Sequence, residues 1–175
     1  GRISRRVGRV GAALDMTVIA HDPYLDADQI EGGVELVGLA ELLQRADVIS
    51  VHAPLTDANR QMFDAAAFAA MRPGVIFVNT ARGGLVDQDA LLAALDSGQV
   101  GAAALDVTEP EPLPTDHPLL RRDDVTVTPH IASASGAGRV RLYEHAIANA
   151  LAVLAGRDPA EIVRVVNPEV LEGAG

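Results

Sequence analysis

Cysteine, lysine and tryptophan are absent from the 175 residues of the chain. The absence of cysteine excludes a disulfide framework and thiolate chemistry, and it makes a cytoplasmic protein the default expectation. The absence of lysine excludes Schiff-base chemistry and the phosphate-binding lysine of a P-loop. Aromatic residues make up only 3% of the chain, too few for the stacking platforms that bind single-stranded nucleic acids.

Positive charge and long apolar runs are also scarce. The formal net charge is −10, and because this charge repels a phosphate backbone we expect no nucleic-acid partner. No apolar run approaches the roughly 18 residues that a membrane helix needs, so we expect no membrane partner. No two histidines have the spacing of a metal site, which predicts no bound metal. The chain does have 49% hydrophobic residues, enough for a substantial core.

Short apolar runs alternate with helical patterns along the chain. Helical patterns begin at Leu39, at Asp64 and after Asp87, a candidate N-cap, and a longer pattern covers residues 134–155. The alternation predicts an α/β fold with a doubly wound, Rossmann-like parallel sheet whose strands are covered on both faces. The predicted strands are residues 16–20, 47–51, 74–79, 100–106 and 125–128.

The first helical pattern has no strand before it. In a doubly wound sheet the first strand lies at the centre, and without it the neighbouring strands would have unpaired edges. We therefore expect the first strand to belong to sequence upstream of Gly1.

The first four residues are similar to the second half of a dinucleotide-binding fingerprint, G-x-G-x-x-G. If Gly1 is the second glycine, Ser4 takes the place of the third, which normally lets the helix pack closely on its strand. Gly1, Arg2 and Ile3 would then lie beside a bound pyrophosphate. An ordinary helix start explains the same residues equally well.

Asp22 follows the first predicted strand. It stands at the offset of about 20 residues at which dinucleotide-binding folds place the acid that binds the adenine ribose. A carboxylate accepts hydrogen bonds from the ribose hydroxyls and repels a 2′-phosphate, which favours NAD over NADP. The alternative is a turn-forming aspartate before Pro23.

Three successive predicted strands end in residues that carry chemistry. Arg82 follows the third strand and can bind a carboxylate through two hydrogen bonds. Asp106 ends the fourth strand, Glu111 lies in the loop after it, and His130 follows the fifth as a candidate acid/base. Each residue alone has an ordinary explanation as a solvated or structural side chain. Because ligands bind at the carboxyl ends of parallel strands, their coincidence at one edge predicts an active site.

The segments around these residues are similar to the signature of the D-isomer-specific 2-hydroxyacid dehydrogenases. The resemblance rests on N-T-A-R-G-G at residues 79–84, L-D-V-T-E-P-E-P at 105–112 and T-P-H-I-A-S at 128–133, in that order and spacing. V-H-A-P-L-T at 51–56 and V-V-N-P-E-V at 165–170 also resemble that family. The similarity covers essentially the whole chain.

The resemblance implies a role for each matching residue. Arg82 binds the carboxylate and carbonyl oxygen of the substrate, His130 is the general acid/base, and Glu111 hydrogen-bonds the histidine. Asp106 holds the nicotinamide carboxamide of the cofactor. Ser4 departs from the glycine that the family usually has. The expected cofactor-binding residues are Gly1, Arg2, Ile3, Asp22, Ala53, Pro54, Thr80, Ala81, Arg82, Asp106, His130 and Ser133.

The implied activity is hydride transfer between NAD(H) and a D-2-hydroxy acid or 2-keto acid pair. Two other possibilities stay open. One is an NAD-responsive binding protein like the transcriptional corepressors that resemble these enzymes, and the other is a catalytically inert fragment. Within the family, the same residues can also oxidise a phosphorylated or inorganic substrate.

The resemblance also implies an organisation for the whole protein. Residues 1–133 correspond to the dinucleotide-binding domain, and residues 134–175 to a crossover helix and a C-terminal tail that belong with the substrate domain. In this family most of the substrate domain comes from N-terminal sequence, so we expect the isolated chain to be inactive. Family members are usually dimers, and we expect a cytoplasmic homodimer.

Overall fold

The fold is seen in a computed structural model, which describes residues 1–26 and 33–157. The chain divides into two compact units, Gly1–His130 and Ile131–Gly175. The motif at residues 165–170 and the rest of the predicted tail lie outside the described residues.

The helices begin close to the residues that the sequence predicts. Asp64 accepts a hydrogen bond from the backbone N–H of Ala67 at 2.8 Å, and Asp87 accepts one from the N–H of Ala90 at 3.0 Å. The predicted N-cap role of Asp87 is therefore confirmed. None of the described helices is both long and apolar enough to cross a membrane. The helices are α1 Arg2–Ala13, α2 Leu39–Arg45, α3 Ala65–Ala69, α4 Gln88–Asp96 and α5 Gly136–Leu154.

The strands form two parallel sheets within the described residues. β1 and β2 pair with each other, and the remaining strands form one sheet in the order β3-β4-β5-β6. The predicted α/β fold with parallel strands is confirmed. The strands are β1 Ile19–Ala20, β2 Glu35–Leu36, β3 Val48–Val51, β4 Val75–Asn79, β5 Val100–Leu105 and β6 Val125–Val127.

The core of the first unit lies between the four-stranded sheet and the helices α3 and α4. Its centre is Phe77 of β4, which is fully buried and packs edge-on against Phe63 and Phe68 with ring centroids 5.1 and 5.3 Å away. Such pairs contribute about 0.5–1.5 kcal/mol each beyond the burial of their area. Leu91 and Leu95 of α4 are buried in the same cluster, which fixes α4 on the sheet.

In the described part of the chain β3 and β4 are buried on one face and partly exposed on the other. Val48 and Ile76 are 41% and 44% exposed, whereas their neighbours Ile49 and Phe77 are buried. Successive side chains of a strand point to opposite faces, so α3 and α4 cover one face only. An apolar run shows that a strand tolerates burial on both sides, but it does not show which face has a partner.

The predicted strand boundaries also differ at the start of the chain. Of the predicted strand 16–20 only Ile19–Ala20 forms a ladder, and the short strand β2 is not predicted by the apolar pattern. β2 contains Glu35, which is paired with Arg45 of α2 at 2.7 Å. A two-residue strand with a charged member has no run for a pattern to detect.

Two glycines of helix α1 pack against residues that come after the helix in the chain. A Cβ at Gly11 would lie 3.3 Å from the side chain of Val18, and one at Gly8 would lie 3.6 Å from it. This close packing is the role that the fingerprint assigns to its third glycine. Ser4, which occupies that position here, instead donates its hydroxyl to the Gly1 carbonyl at 2.9 Å.

The end of α1 gives a prediction about stability. Asp15 follows the helix with a φ of 58°, a left-handed conformation that costs a non-glycine residue about 1–2 kcal/mol. Glycine removes that cost. It also gains conformational freedom in the unfolded chain, which offsets about 0.5–1 kcal/mol of the stabilisation. We expect Asp15→Gly to raise the free energy of unfolding by about 0.5–1 kcal/mol in urea titrations followed by circular dichroism.

The matched control is Asp123→Gly. Asp123 is exposed and does not have a positive φ, so the glycine should lower the free energy of unfolding by about 0.5–1 kcal/mol. Equal effects of the two substitutions would contradict a strained conformation at Asp15.

Candidate functional site

The ends of β4, β5 and β6 lie side by side at one edge of the sheet. In the strand register Asn79 pairs with Leu105, and Leu105 pairs with Val127. The pairing continues past the strands, because the N–H of Asp106 donates to the Asn79 carbonyl and the N–H of His130 to the Asp106 carbonyl, each at 2.9 Å. The three segments that the sequence singles out therefore leave the sheet at the same edge.

His130 and Glu111 contact each other directly. The Nδ1 atom of His130 lies 2.6 Å from Oε1 of Glu111, and the two side chains are 46% and 39% exposed. An ionised carboxylate can only accept hydrogen bonds, so the proton of this bond belongs to Nδ1. The other ring nitrogen, Nε2, is then the one that can exchange a proton with a ligand.

The backbone of His130 is in an uncommon conformation. Its φ is 52°, a value that costs a non-glycine residue about 1–3 kcal/mol and persists only where the surroundings enforce it. The His130 N–H is held by the carbonyls of Asp106 at 2.9 Å and Thr128 at 3.0 Å. These bonds fix the position from which the imidazole reaches Glu111.

Arg82 follows β4 at the same edge of the sheet, on a loop that Asn79 holds. The Asn79 side chain is fully buried, donates to the Arg82 carbonyl at 2.9 Å and accepts from the Ala81 N–H at 3.0 Å. The Arg82 guanidinium is exposed and donates to the Ala81 carbonyl at 2.6 Å. Within the described residues it makes no hydrogen bond to Glu111 or His130, so the structure brings two of the three predicted catalytic side chains into contact.

Gly83 brings the Arg82 loop against the loop that carries Glu111. A Cβ at Gly83 would lie 2.1 Å from the backbone carbon and oxygen of Thr108. No side chain fits between the two backbones, so glycine is required here for close approach. The glycine pair in the sequence indicates tight geometry, and the structure shows which backbone it approaches.

Asp106 is buried beneath this edge. Its side chain is 5% exposed and its Oδ1 accepts a hydrogen bond from the Thr128 hydroxyl at 2.5 Å. The neighbouring Thr108, 7% exposed, donates its hydroxyl to the Pro110 carbonyl at 2.9 Å. The Thr128 partner of Asp106 is not evident in the sequence, because the strand register brings these two distant residues together.

Glu109 connects the Glu111 loop to two other segments. Nη1 of Arg60 lies 3.0 and 2.8 Å from the two carboxylate oxygens of Glu109, and this carboxylate raises the pKa of Arg60 above its ordinary value. The Gln88 side chain hydrogen-bonds both the N–H and the carbonyl of Glu109. Neither Arg60 nor Gln88 is singled out by the sequence, since each is an ordinary polar residue in its own segment.

The predicted cofactor residues of the first unit lie at helix and strand ends. Gly1, Arg2 and Ile3 form the start of α1, whose first turn has no acidic residue. Ala53 and Pro54 follow β3, and Thr80 and Ala81 follow β4. Ser133 belongs to the second unit, just before α5, where the Ser135 hydroxyl caps the helix by accepting from the Gly138 N–H at 3.0 Å.

Asp22 makes the turn that the alternative interpretation requires. Its Oδ1 accepts a hydrogen bond from the N–H of Tyr24 at 3.0 Å. Its other oxygen makes no hydrogen bond to the described residues, so it can accept one from a ribose hydroxyl. A partly exposed aspartate after β1 and first-turn amides of α1 that have no side-chain cap within the described residues are the acceptor and donor set that a dinucleotide uses. The residues present therefore fit NAD.

His52, which follows β3, differs from His130 in its surroundings. Burial lowers the pKa of His52 below its ordinary value, and its Nε2 lies 3.0 Å from the Ser50 hydroxyl.

Within residues 1–26 and 33–157 no three acidic or histidine side chains cluster as a metal site.

Comparison with protein families decides the membership of the chain. The profile described as "D-isomer specific 2-hydroxyacid dehydrogenase, NAD binding domain" matches residues 1–132. The chain belongs to this family. The Rossmann-like fold and NAD as the cofactor of the matching domain follow from this membership. The membership also confirms the resemblance inferred from the motifs.

Individual relatives agree with this membership. The chain is 44% identical over 136 residues to D-3-phosphoglycerate dehydrogenase 2 of Arabidopsis thaliana, covering 77% of the chain and 22% of that protein. It is 39% identical over 173 residues to the glyoxylate reductase of Aeropyrum pernix, covering 98% of the chain and 51% of that protein. It thus spans between about a fifth and a half of the length of these relatives.

Solved structures of similar proteins have the same fold. D-lactate dehydrogenase from Aquifex aeolicus, complexed with NAD and lactic acid, superposes with a TM-score of 0.80 at 35% identity, covering 89% of this chain and 51% of that one. The TT0316 protein from Thermus thermophilus superposes with a TM-score of 0.84 at 43% identity, covering 90% and 49%.

Proposed function

We propose that the full-length protein is an NAD-dependent oxidoreductase that interconverts a D-2-hydroxy acid and the corresponding 2-keto acid. Its catalytic residues are His130, Glu111 and Arg82. The observation that carries the proposal is the 2.6 Å contact between His130 and Glu111 at the sheet edge from which the Arg82 loop also leaves. An imidazole with a bonded carboxylate is an acid/base pair, and a guanidinium on a loop from the same sheet edge suits a carboxylate substrate.

Each catalytic residue has a separate task. Glu111 fixes the hydrogen on Nδ1 of His130 and stabilises the protonated imidazolium by its charge, so Nε2 gives a proton to the keto oxygen or takes one from the hydroxyl. Arg82 orients the substrate carboxylate and stabilises negative charge on the reacting oxygen. NAD, when bound, supplies or accepts the hydride.

The cofactor is held by residues at the ends of several elements. The first-turn amides of α1 would bind the pyrophosphate, the free oxygen of Asp22 the ribose, and Asp106 the carboxamide of nicotinamide. The proposed binding residues are Gly1, Arg2, Ile3, Asp22, Ala53, Pro54, Thr80, Ala81, Arg82, Asp106, His130 and Ser133.

The proposal is tested by turnover of the full-length protein. NADH oxidation is measured with glyoxylate, pyruvate and a phosphorylated three-carbon 2-keto acid, the compound classes indicated by the names of the relatives. The products of the last two are chiral at C2 and are analysed for D configuration. Turnover of at least one keto acid is expected, with the D product wherever the product is chiral. Tight NADH binding without turnover of any of them would favour the NAD-responsive binding protein instead.

The organisation of the whole protein is part of the proposal. Residues 1–133 act as the nucleotide-binding domain and residues 134–175 belong with a substrate domain, so the isolated chain does not turn over. The full-length protein is a cytoplasmic homodimer, which light scattering and cell fractionation test.

Asp22 gives a prediction about cofactor choice. A hydrogen bond to a charged group contributes about 1.5–3 kcal/mol, so Asp22→Ala is expected to weaken NADH binding about 10–100-fold. Loss of the negative charge should also narrow the preference for NADH over NADPH. Fluorescence titration of the full-length protein measures both affinities.

The matched control for this prediction is Asp123→Ala, because Asp123 is an exposed acid outside the proposed site. It should leave both cofactor affinities unchanged. If Asp22→Ala binds NADH as tightly as the control, the turn with Tyr24 is the whole role of Asp22 and the ribose assignment fails.

A further inference from the structure

The loop that carries Glu111 is held at Glu109, two residues earlier, by side chains from two distant segments. We propose that Gln88 is a positioning residue, which sets the distance between Glu111 and His130 by binding the backbone of Glu109, with Arg60 as its partner on the Glu109 side chain. The inference rests on the proposed function, in which Glu111 acts through His130.

Gln88 binds both backbone groups of one residue. Its Oε1 accepts from the Glu109 N–H at 3.2 Å, and its Nε2 donates to the Glu109 carbonyl. A single amide side chain thus replaces the two hydrogen bonds that a neighbouring strand would provide. The orientation of the peptide units between Glu109 and Glu111 depends on these two hydrogen bonds.

The helix beneath Gln88 is a rigid support. Gln88 is the first residue of α4, which Asp87 caps through the N–H groups of Asp89 and Ala90 at 3.1 and 3.0 Å. Leu91, one turn further, is fully buried in the core. A side chain at the fixed start of an anchored helix can hold a loop to a defined position.

Arg60 holds the same residue from the other side. Its Nη1 binds both carboxylate oxygens of Glu109, and the pair packs over Gly84, where a Cβ would be 2.9 Å from Glu109 Oε2 and 3.1 Å from Arg60 Nη1. The Gly84 carbonyl in turn accepts from the Gln61 N–H at 2.8 Å. The clamp therefore joins the Glu111 loop to the loop that carries Arg82.

The loop needs such a clamp because its own sequence provides few hydrogen bonds. Pro110 and Pro112 have no N–H to donate, and Glu111 between them is 39% exposed in its side chain. A catalytic contact displaced by about 1 Å can cost about 100-fold in rate. Loss of the Gln88 bonds removes one of the two side-chain contacts that hold Glu109.

The first experiment observes the contact itself. The ring nitrogens of His130 are recorded by NMR in the 15N-histidine-labelled full-length protein, wild type and Gln88→Met. The wild type is expected to carry its ring proton on Nδ1, with a downfield hydrogen-bonded signal. Gln88→Met should lose that signal and show a mixture of the two tautomers.

The second experiment asks whether Gln88 acts through Glu111. In the full-length protein Gln88→Met should lower kcat about 10–100-fold and change KM less than about threefold. In the Glu111→Gln background the same substitution should have almost no further effect on kcat, since residues that act in series are not additive. A full effect in that background would overturn the proposal.

The matched control is Gln99→Met, which removes a similar bond outside the site. Nε2 of Gln99 donates to the Met71 carbonyl at 2.6 Å, so its loss should affect folding as Gln88→Met does, but leave the His130 spectrum and kcat unchanged. Equal spectra in the two variants, both like the wild type, would overturn the proposal.

A conservative variant distinguishes loss of positioning from misfolding. Gln88→Glu keeps the acceptor for the Glu109 N–H and suits the start of a helix, but it has no donor for the Glu109 carbonyl. It should give a His130 signal and a kcat between those of the wild type and Gln88→Met. Absence of any turnover in the wild type would refute the proposed function, whereas the NMR comparison still decides the positioning role.

Discussion

Replacing His130 by asparagine is expected to lower kcat of the full-length protein by about two to four decades, the usual contribution of a positioned acid/base. The imidazole ring is what transfers the proton. Asparagine can reproduce the hydrogen bond from His130 Nδ1 to Glu111, but it cannot carry a proton to the substrate. Asparagine also tolerates the φ of 52° at this position. The measurement is steady-state NADH oxidation with a saturating 2-keto acid.

The control for this prediction is His117→Asn. His117 caps a short 3-10 turn, where its Nδ1 accepts from the Leu119 N–H at 3.3 Å, and the asparagine side chain can make the same bond. Turnover should therefore stay within about twofold of the wild type. If His130→Asn were as active as His117→Asn, while binding NADH normally, another group would have to be the acid/base.

The parts of the site that the sequence predicts are those that depend on local pattern. Arg82, Glu111 and His130 follow three apolar runs, and parallel strands place their carboxyl ends together without further information. Asp87 precedes a helical pattern and caps it, because capping depends on residues only three apart. Prediction succeeds where the cause is local, as at Asp87, or where a general rule of parallel sheets applies, as at the three strand ends.

The parts that it does not predict depend on tertiary contacts. The hydrogen bond of Thr128 to Asp106 joins residues 22 apart, and the Gln88 bonds to Glu109 join residues 21 apart. Such pairs follow from strand register and loop path, which a single sequence does not encode in any local pattern. The partly exposed face of β3 and β4 in the described residues is a similar case, because apolar content does not reveal which elements pack on each face.

The position of Ser4 shows how a motif can fail while its physical purpose is met. The fingerprint expects glycine there for close packing of helix and strand. In this chain the close packing occurs at Gly8 and Gly11, both within 3.7 Å of valine side chains for an added Cβ. The Ser4 hydroxyl is accommodated because it turns back to the Gly1 carbonyl.

The largest effect on stability is expected from Gly83→Ala. The added Cβ would lie 2.1 Å from the carbon and oxygen of the Thr108 carbonyl and 2.7 Å from its Cα. These are backbone atoms next to a buried strand end, so the two loops must separate. Overpacking of rigid sites costs about 1–3 kcal/mol and sometimes more, and we expect the upper end, about 3 kcal/mol, in urea unfolding of the chain.

The control is Gly38→Ala, where an added Cβ meets no atom within 4 Å and φ is −65°. Its free energy of unfolding should change by less than about 1 kcal/mol. The comparison separates steric contact from the general effect of alanine on the unfolded chain, which both substitutions share. Equal destabilisation by the two would mean that the Arg82 and Glu111 loops are not in contact at Gly83. If Gly83→Ala is the more destabilising, the separated loops should also carry Arg82 away from the His130–Glu111 pair, so the full-length variant should lose substrate affinity together with stability.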